Sequence, residues 1–387
     1  MTPSPITQAI QDIRAGRIII LVDDANRENE GDFVFAAEKC TPELINVMVS
    51  QGRGLICLPM TVDDTRRLSL PQQVQRNEAH LQTAFTVSID AARGIGSGIS
   101  ASDRSQTVLT ASHPLAQPGD LVRPGHIFPL AAKEGGVLVR PGHTEAGVDL
   151  ARLAGLRPMA VICEVLNERG EAARLDELFK IAQKLGLRVY TIRDLVEYRL
   201  RKEPLIRKTA SVKLPTQYGA FRLHVYETRL KAVPEEEVHL ALTYGKHRFT
   251  PRDIPLVRVH SEWSIATIVR RFSHPEGSPL NLAMCRVAQE RSGAIVFLRH
   301  TPQFTEAGSP FHPVPKPADL WMENGALRTL GFKGTTMMGY GLGSQILRDL
   351  GIHRMRILSN SDVVFHGIGN FDLEIVERIP FGYGDGR

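Results

Sequence analysis

The 387-residue chain is 42% hydrophobic and 23% charged, without low-complexity tracts, and its length allows two or three domains that each bury a core. No apolar run approaches the roughly 18 residues of a membrane span and the start, Met1-Thr2-Pro3-Ser4-Pro5, has no signal-peptide pattern, so a cytoplasmic protein without membrane attachment is expected. Four scattered cysteines exclude a disulfide framework or a thiolate zinc site, and a net charge of +5 without a basic, aromatic-interleaved stripe speaks against nucleic acid.

Residues 5–15 have helical spacing, with Ile6, Ile10 and Ile13 on one face and Gly16 as the stop. The run Ile18-Ile19-Ile20-Leu21-Val22 reads as a buried strand that ends abruptly at Asp23-Asp24-Ala25-Asn26-Arg27-Glu28-Asn29-Glu30-Gly31-Asp32. Five carboxylates and one arginine in ten residues repel one another unless a cation sits among them, and a hard divalent ion is one candidate. A solvated acidic loop is the alternative, but the end of a buried strand is where open α/β sheets carry their sites. A second strand is expected over 33–37, a helix over 42–52 entered through Thr41 and Pro42, and a third strand over 55–60.

Residues 90–104 hold a Gly/Ser run (Gly94, Gly96, Ser97, Gly98, Ser100, Ser102) that offers backbone N–H groups to an anion or forms a plain turn. Arg123-Pro124-Gly125-His126 recurs as Arg140-Pro141-Gly142-His143, the second copy expected after a strand at Val137-Leu138-Val139 and followed by Thr144-Glu145 at a helix start. Arginine, histidine and threonine entering a helix N-terminus suit a phosphate or a metal. Ala160 to Leu166 is an apolar strand holding one acid, Glu164, which calls for a raised pKa or an ion pair with an arginine. Helices are expected over 174–187 and 191–203. The fold class is therefore α/β (α+β) in two domains, 1–204 and 205–387, each a mixed β-sheet packed with helices. The second is mildly basic, with 23 Lys and Arg against 17 Asp and Glu, a bias that could attract phosphates.

The segments VDDANRENEGDFVFAAE, GRGLICLP, TAFTVSIDA, GISASDR, PGHIFPL, RPGHTEAGVDLARLAG and VICEVLN, in this order, resemble the 3,4-dihydroxy-2-butanone-4-phosphate synthases of riboflavin biosynthesis over residues 5–200. The resemblance implies conversion of D-ribulose 5-phosphate into a four-carbon phosphate and formate with Mg²⁺ or Mn²⁺, by a homodimer whose active sites lie near the subunit interface. It implies Glu28 and His143 as metal ligands, and substrate contacts from Arg27, Glu28, Asp32, Arg140, Pro141, Gly142, His143, Thr144 and Glu164. His126 and Glu164 are implied to be essential to the chemistry. One departure is Gly96-Ser97 where the family often has Thr-Thr, which keeps one hydroxyl. Cys57 could line the pocket or fill the core.

From residue 205 the framework VRVHSE (257–262), GYGLGSQILRDLG (339–351) and LEIVER (373–378) resembles GTP cyclohydrolase II. That family holds zinc with three cysteines, and here Trp263, His274 and Glu276 stand in their places, so no zinc is expected. The family's nucleotide and catalytic segments are replaced by Arg299 to Phe304, Met338-Gly339-Tyr340-Gly341 and Asn360-Ser361-Asp362. A silent domain with a structural or regulatory role follows. A bifunctional enzyme with a rearranged metal site is the alternative, and a wholly non-catalytic scaffold is disfavoured by the intact acids and histidines of the first domain.

Overall fold

The computed structural model describes residues 3–24, 27–230, 238–261, 279–298, 335–360 and 371–380. Trp263, His274, Glu276, the 299–304 segment and Ser361-Asp362 therefore lie outside the described residues. The chain divides into two compact units after Arg199, each with its own seven-stranded mixed sheet.

In the first unit, helix α1 (Ile6–Arg14) turns at Gly16, whose φ of 74° is easy only for glycine, into strand β1 (Ile19–Val22). Strand β2 (Gly31–Ala36) follows, then helix α2 (Pro42–Val47), capped by Thr41 Oγ1 accepting from the Leu44 N–H. The helix expected over 42–52 is α-helical only to Val47 and then widens into a π-turn over Met48–Gly52. Strands β3 (Cys57–Met60), β4 (Ile89–Ala91), β5 (Leu121–Ala131), β6 (Ala160–Glu164) and β7 (Val189–Thr191) complete the sheet in the order β4-β5-β3-β6-β2-β1-β7. Interleaved with them run helices α3 (Val62–Arg67), α4 (Ala101–Ser112), α5 (His143–Leu153), α6 (Leu175–Leu185) and α7 (Ile192–Lys202).

The sheet is buried on both faces, which is why β1, and β2 from Phe33 onward, read as unbroken apolar runs. One face packs Ile20, Phe33, Phe35, Val161 and Cys163 against Ile45, Met48, Val108, Ala111 and Leu178 from α2, the π-turn, α4 and α6. On the other lies α5, buried on every side from His143 to Ala151. It approaches so closely because Gly147 has no side chain: a Cβ there would stand 2.9 Å from the Ala160 Cβ. The strand expected at Val137–Val139 is instead a 3-10 turn over Gly136–Leu138. The preceding glycines take φ of 87° and 63°, and the Asp149 carboxylate accepts the Val137 N–H at 2.8 Å, so the apolar triplet bends instead of pairing.

In the second unit, β8 (Ile206–Thr216), β9 (Gly219–Thr228) and β10 (Val238–Tyr244) form an antiparallel meander. Strand β11 (Leu256–Ser261), helix α8 (Pro279–Gln289), β12 (Gly293–Leu298), helix α9 (Thr335–Asp349), β13 (Arg354–Leu358) and β14 (Glu374–Ile379) follow, in the sheet order β14-β13-β11-β12-β10-β9-β8. Phe221, Leu242, Leu256, Ala283, Val287 and Ile295 make its core. Of the quoted framework segments, residues 257–261 fall on β11, 339–349 on α9 and 374–378 on β14.

Candidate active site

Strand register assembles the site. Leu21 of β1 pairs with Asp32 of β2, and Asp32 pairs with Glu164 of β6. Cys57 of β3 sits opposite both Ile162 of β6 and Phe128 of β5. Because side chains alternate faces with a period of two, moving two residues along from Phe128 and from Ile162 brings His126 and Glu164 to one face and one row. The row His126, residue 55, Glu164, Asp32, Leu21 thus crosses five neighbouring chain segments, with His126 and Glu164 two strand spacings, about 10 Å, apart. It lies on the face that α5 covers.

At one end of the row, Asp23 organises the acidic loop. Its Oδ2 accepts from Arg27 Nη1 at 2.8 Å and from the Glu28 N–H at 3.0 Å, and its Oδ1 accepts from the Glu30 N–H at 3.0 Å. Arg27 also pairs with the Glu28 carboxylate. His143 is the first residue of α5 and is buried. Its Nε2 lies 3.1 Å from the Leu21 carbonyl oxygen, which can only accept, so Nε2 carries the proton and Nδ1 presents a lone pair. Burial lowers the His143 pKa to about 4, which keeps the ring neutral as a ligand must be. Ligand atoms of Asp23, Glu28 and His143 all lie within 4.8 Å of one another.

Asp32 is buried, and its Oδ1 has no hydrogen-bond partner, standing 3.8 Å from His143 Nδ1. Burial pushes its pKa well above the usual carboxylate range, reinforced by Glu164, Glu30, Glu28 and Asp23. Burial likewise raises Glu30 to about 7, with Glu28, Glu164 and Asp23 adding to it and Arg27 opposing. An orphaned buried oxygen among neighbouring acids, facing a neutral imidazole with a free lone pair, fits a hard divalent cation.

Beside this cluster, Arg140 is held by Glu145, with Nη1 to Oε2 at 2.7 Å, and by Thr83, with Nη2 to Oγ1 at 3.0 Å. The Gly142 backbone lies so close that a Cβ would meet Arg140 Nη1 at 2.5 Å and Arg27 Nη2 at 3.0 Å. Two guanidinium groups and the buried Thr144 therefore flank the start of α5, a setting for an anion, while Pro141 is exposed.

Glu164 differs from its expected setting. It is the last residue of β6, half-buried, and its Oε2 accepts the Leu55 N–H at 2.8 Å, with no ion pair to an arginine among the described residues. The deep burial expected of it belongs to its register partner Asp32. In the Gly/Ser run, the N–H groups of Gly96 and Gly98 donate to the Asp103 carboxylate at 3.1 and 3.0 Å, so a side chain already occupies these two donors. Cys57 is buried, with its thiol pKa pushed well up by burial.

His126 lies within β5, and its Nδ1 is 2.7 Å from Oδ2 of the buried Asp90. Neither Asp90 nor the ligand geometry of Asp23 follows from the sequence pattern. Asp23 could have been found as the first acid past the strand end, whereas a single acid in the three-residue β4 gives no signal.

The family profile described as 3,4-dihydroxy-2-butanone 4-phosphate synthase matches residues 7–198, and that described as GTP cyclohydrolase II matches residues 207–380. The chain is 44% identical over 379 residues to the riboflavin biosynthesis protein RibBA of Aquifex aeolicus, an alignment covering 97% of this chain and 91% of that relative. It is 43% identical over 387 residues to the 3,4-dihydroxy-2-butanone 4-phosphate synthase of Pseudomonas aeruginosa, covering 98% and 100%. The crystal structure of RibBX, a two-domain 3,4-dihydroxy-2-butanone 4-phosphate synthase from A. baumannii, matches with a TM-score of 0.76 at 36% identity, over 97% of this chain and 99% of that one.

Proposed function

Since the chain belongs to the 3,4-dihydroxy-2-butanone-4-phosphate synthase family of riboflavin biosynthesis, with a GTP cyclohydrolase II domain behind the synthase domain, we propose that the row on the first sheet turns D-ribulose 5-phosphate into 3,4-dihydroxy-2-butanone 4-phosphate and formate. The observation that carries the reading is the meeting of Asp23, Glu28 and His143 ligand atoms beside the orphaned Asp32 oxygen.

Glu28 and His143, joined by Asp23, would hold Mg²⁺ or Mn²⁺. When bound, the cation supplies stabilisation of negative charge developing on the oxygens beside the ketone. Arg27, Arg140, Thr144 and the N-terminal N–H groups of α5 would bind the phosphate, with Pro141 and Gly142 shaping the approach. Asp32 hydrogen-bonds substrate hydroxyls. His126 and Glu164 share the proton transfers: removal of the proton beside the ketone, protonation of the departing hydroxyl, and return of that water when formate leaves. The carbon and oxygen of the pentulose phosphate then all reappear in the two products.

The cyclohydrolase-like domain is silent in this reading, as Trp263, His274 and Glu276 replace a cysteine cage. The alternative is bifunctionality, favoured by the RibBA name of the Aquifex relative. The protein would act in the cytoplasm as a homodimer, for which the exposed Leu115 and Ile99 offer apolar surface. One assay separates these readings: ribulose 5-phosphate and GTP, each with Mg²⁺ or Zn²⁺ and each with EDTA. Formate release from ribulose 5-phosphate that EDTA abolishes is expected, with none from GTP. Sustained zinc-dependent GTP turnover would establish bifunctionality, and EDTA-resistant synthase activity would remove the metal centre.

A further inference from the structure

His126 is held from the neighbouring strand by a carboxylate outside the ligand cluster, that of Asp90. Strand β4 pairs with β5 through a register shift between Ile89 and Asp90, an irregularity of the kind that re-aims a side chain. Asp90 then grips one residue twice: Oδ1 accepts the His126 backbone N–H at 2.9 Å, and Oδ2 stands 2.7 Å from Nδ1. Among the described residues, this buried carboxylate forms no ion pair with an arginine or lysine. The loop lies flush over the pair: Gly98, at φ +93°, has space for no Cβ, which would fall 2.3 Å from Asp90 Oδ2 and 2.6 Å from His126 Nδ1. Asp103, through the Gly96 and Gly98 N–H groups, fixes that loop from the first turn of α4.

We propose that Asp90 is the positioning residue of His126, setting the imidazole's tautomer and direction so that Nε2 is the atom offered to substrate. A carboxylate can only accept, so Nδ1 carries the ring proton and Nε2 carries the lone pair. The His126 side chain is 40% exposed and Nε2 has no partner among the described residues, so this atom opens onto the row. The Gly98 backbone packs against both partners of the Asp90–His126 hydrogen bond, so no side chain can enter between the loop and the pair. The inference rests on His126 serving in proton transfer.

The test is Asp90→Asn in the full chain with saturating Mg²⁺. The amide has the same shape but can place a donor opposite Nδ1, moving the ring proton to Nε2. Turnover of ribulose 5-phosphate should fall on the order of 10²–10³-fold while KM stays within about threefold. The ¹⁵N shifts of His126 should report the reversed tautomer, and Asp90→Glu should recover part of the loss. Wild-type turnover in Asp90→Asn, or an unchanged tautomer, overturns the proposal. If that variant does not fold, the wild-type ¹⁵N spectrum decides: a proton on Nδ1 supports the assignment and a proton on Nε2 overturns it. His126→Ala separates the two levels. Undiminished turnover there removes His126 from the chemistry and the inference with it, whereas an inactive His126→Ala beside a fully active Asp90→Asn overturns only the role of Asp90.

Discussion

At the scale of single residues, the site sets stability against function. Asp32 is desolvated among Glu164, Glu30, Glu28 and Asp23, and one of its oxygens has no hydrogen-bond partner. An ionised carboxylate in that position costs the metal-free fold energy unless it takes up a proton. Asp32→Asn removes the charge at constant shape, so it should stabilise the metal-free protein by about 1 kcal/mol in urea denaturation with EDTA, the usual gain from relieving a strained functional group. The same substitution should abolish synthase turnover. If the variant is less stable than wild type, Asp32 is a structural acid whose orphaned oxygen has another explanation.

At the scale of elements, the legible parts were those encoded locally. Ile18 to Val22 announces a strand by its composition, Thr41-Pro42 announces a helix start, and the acids after Val22 announce a charged loop. The bend at Gly136–Leu138 was hidden because Val137, Leu138 and Val139 have strand-like side chains, and the partner that bends them, Asp149, lies a dozen residues on. The row across the sheet was hidden for the same reason, since register between β5, β3, β6 and β2 is non-local. Asp149 shows how such a distant group positions the site. Buried on α5, it accepts from the Val137 N–H and from Arg199 Nη1 at 2.6 Å, while Arg199 Nη1 also reaches the Gly135 carbonyl at 2.8 Å. This ties the helix that begins at His143 to the turn that precedes Arg140. Asp149→Ala removes the buried carboxylate that accepts from both the Val137 N–H and Arg199 Nη1, and a loss of about 1–3 kcal/mol is expected in urea unfolding. A loss below about 1 kcal/mol would mean that the turn is held elsewhere.

At the scale of the whole molecule, the two domains should respond differently to acid. In the second, burial lowers His224 of β9 and His260 of β11 to about 4, below the ordinary value of 6.5. Lys208 and Arg222 add to the shift of His224, and Arg258 to that of His260. Folded rings stay neutral while unfolded ones take protons, so stability is full above about 6.5 and declines as pH falls from there to about 4. In the first domain, His143 pulls the same way. Glu30, raised to about 7, and Asp32, also raised by burial, pull the other way: the folded metal-free state binds protons that the unfolded state releases, which adds stability as pH falls through 7 towards the ordinary carboxylate range. The acid response of the first domain is thereby flattened, and that of the second is not. Hydrogen exchange with EDTA, corrected for intrinsic rates, should show peptides of β9 and β11 losing protection between pH 7 and pH 5 before those of β1 and β2. Earlier loss in β1 and β2 would mean that the acids around Asp32 are ionised in the metal-free fold, and with that the case for a cation-sized deficit of positive charge would rest on geometry alone.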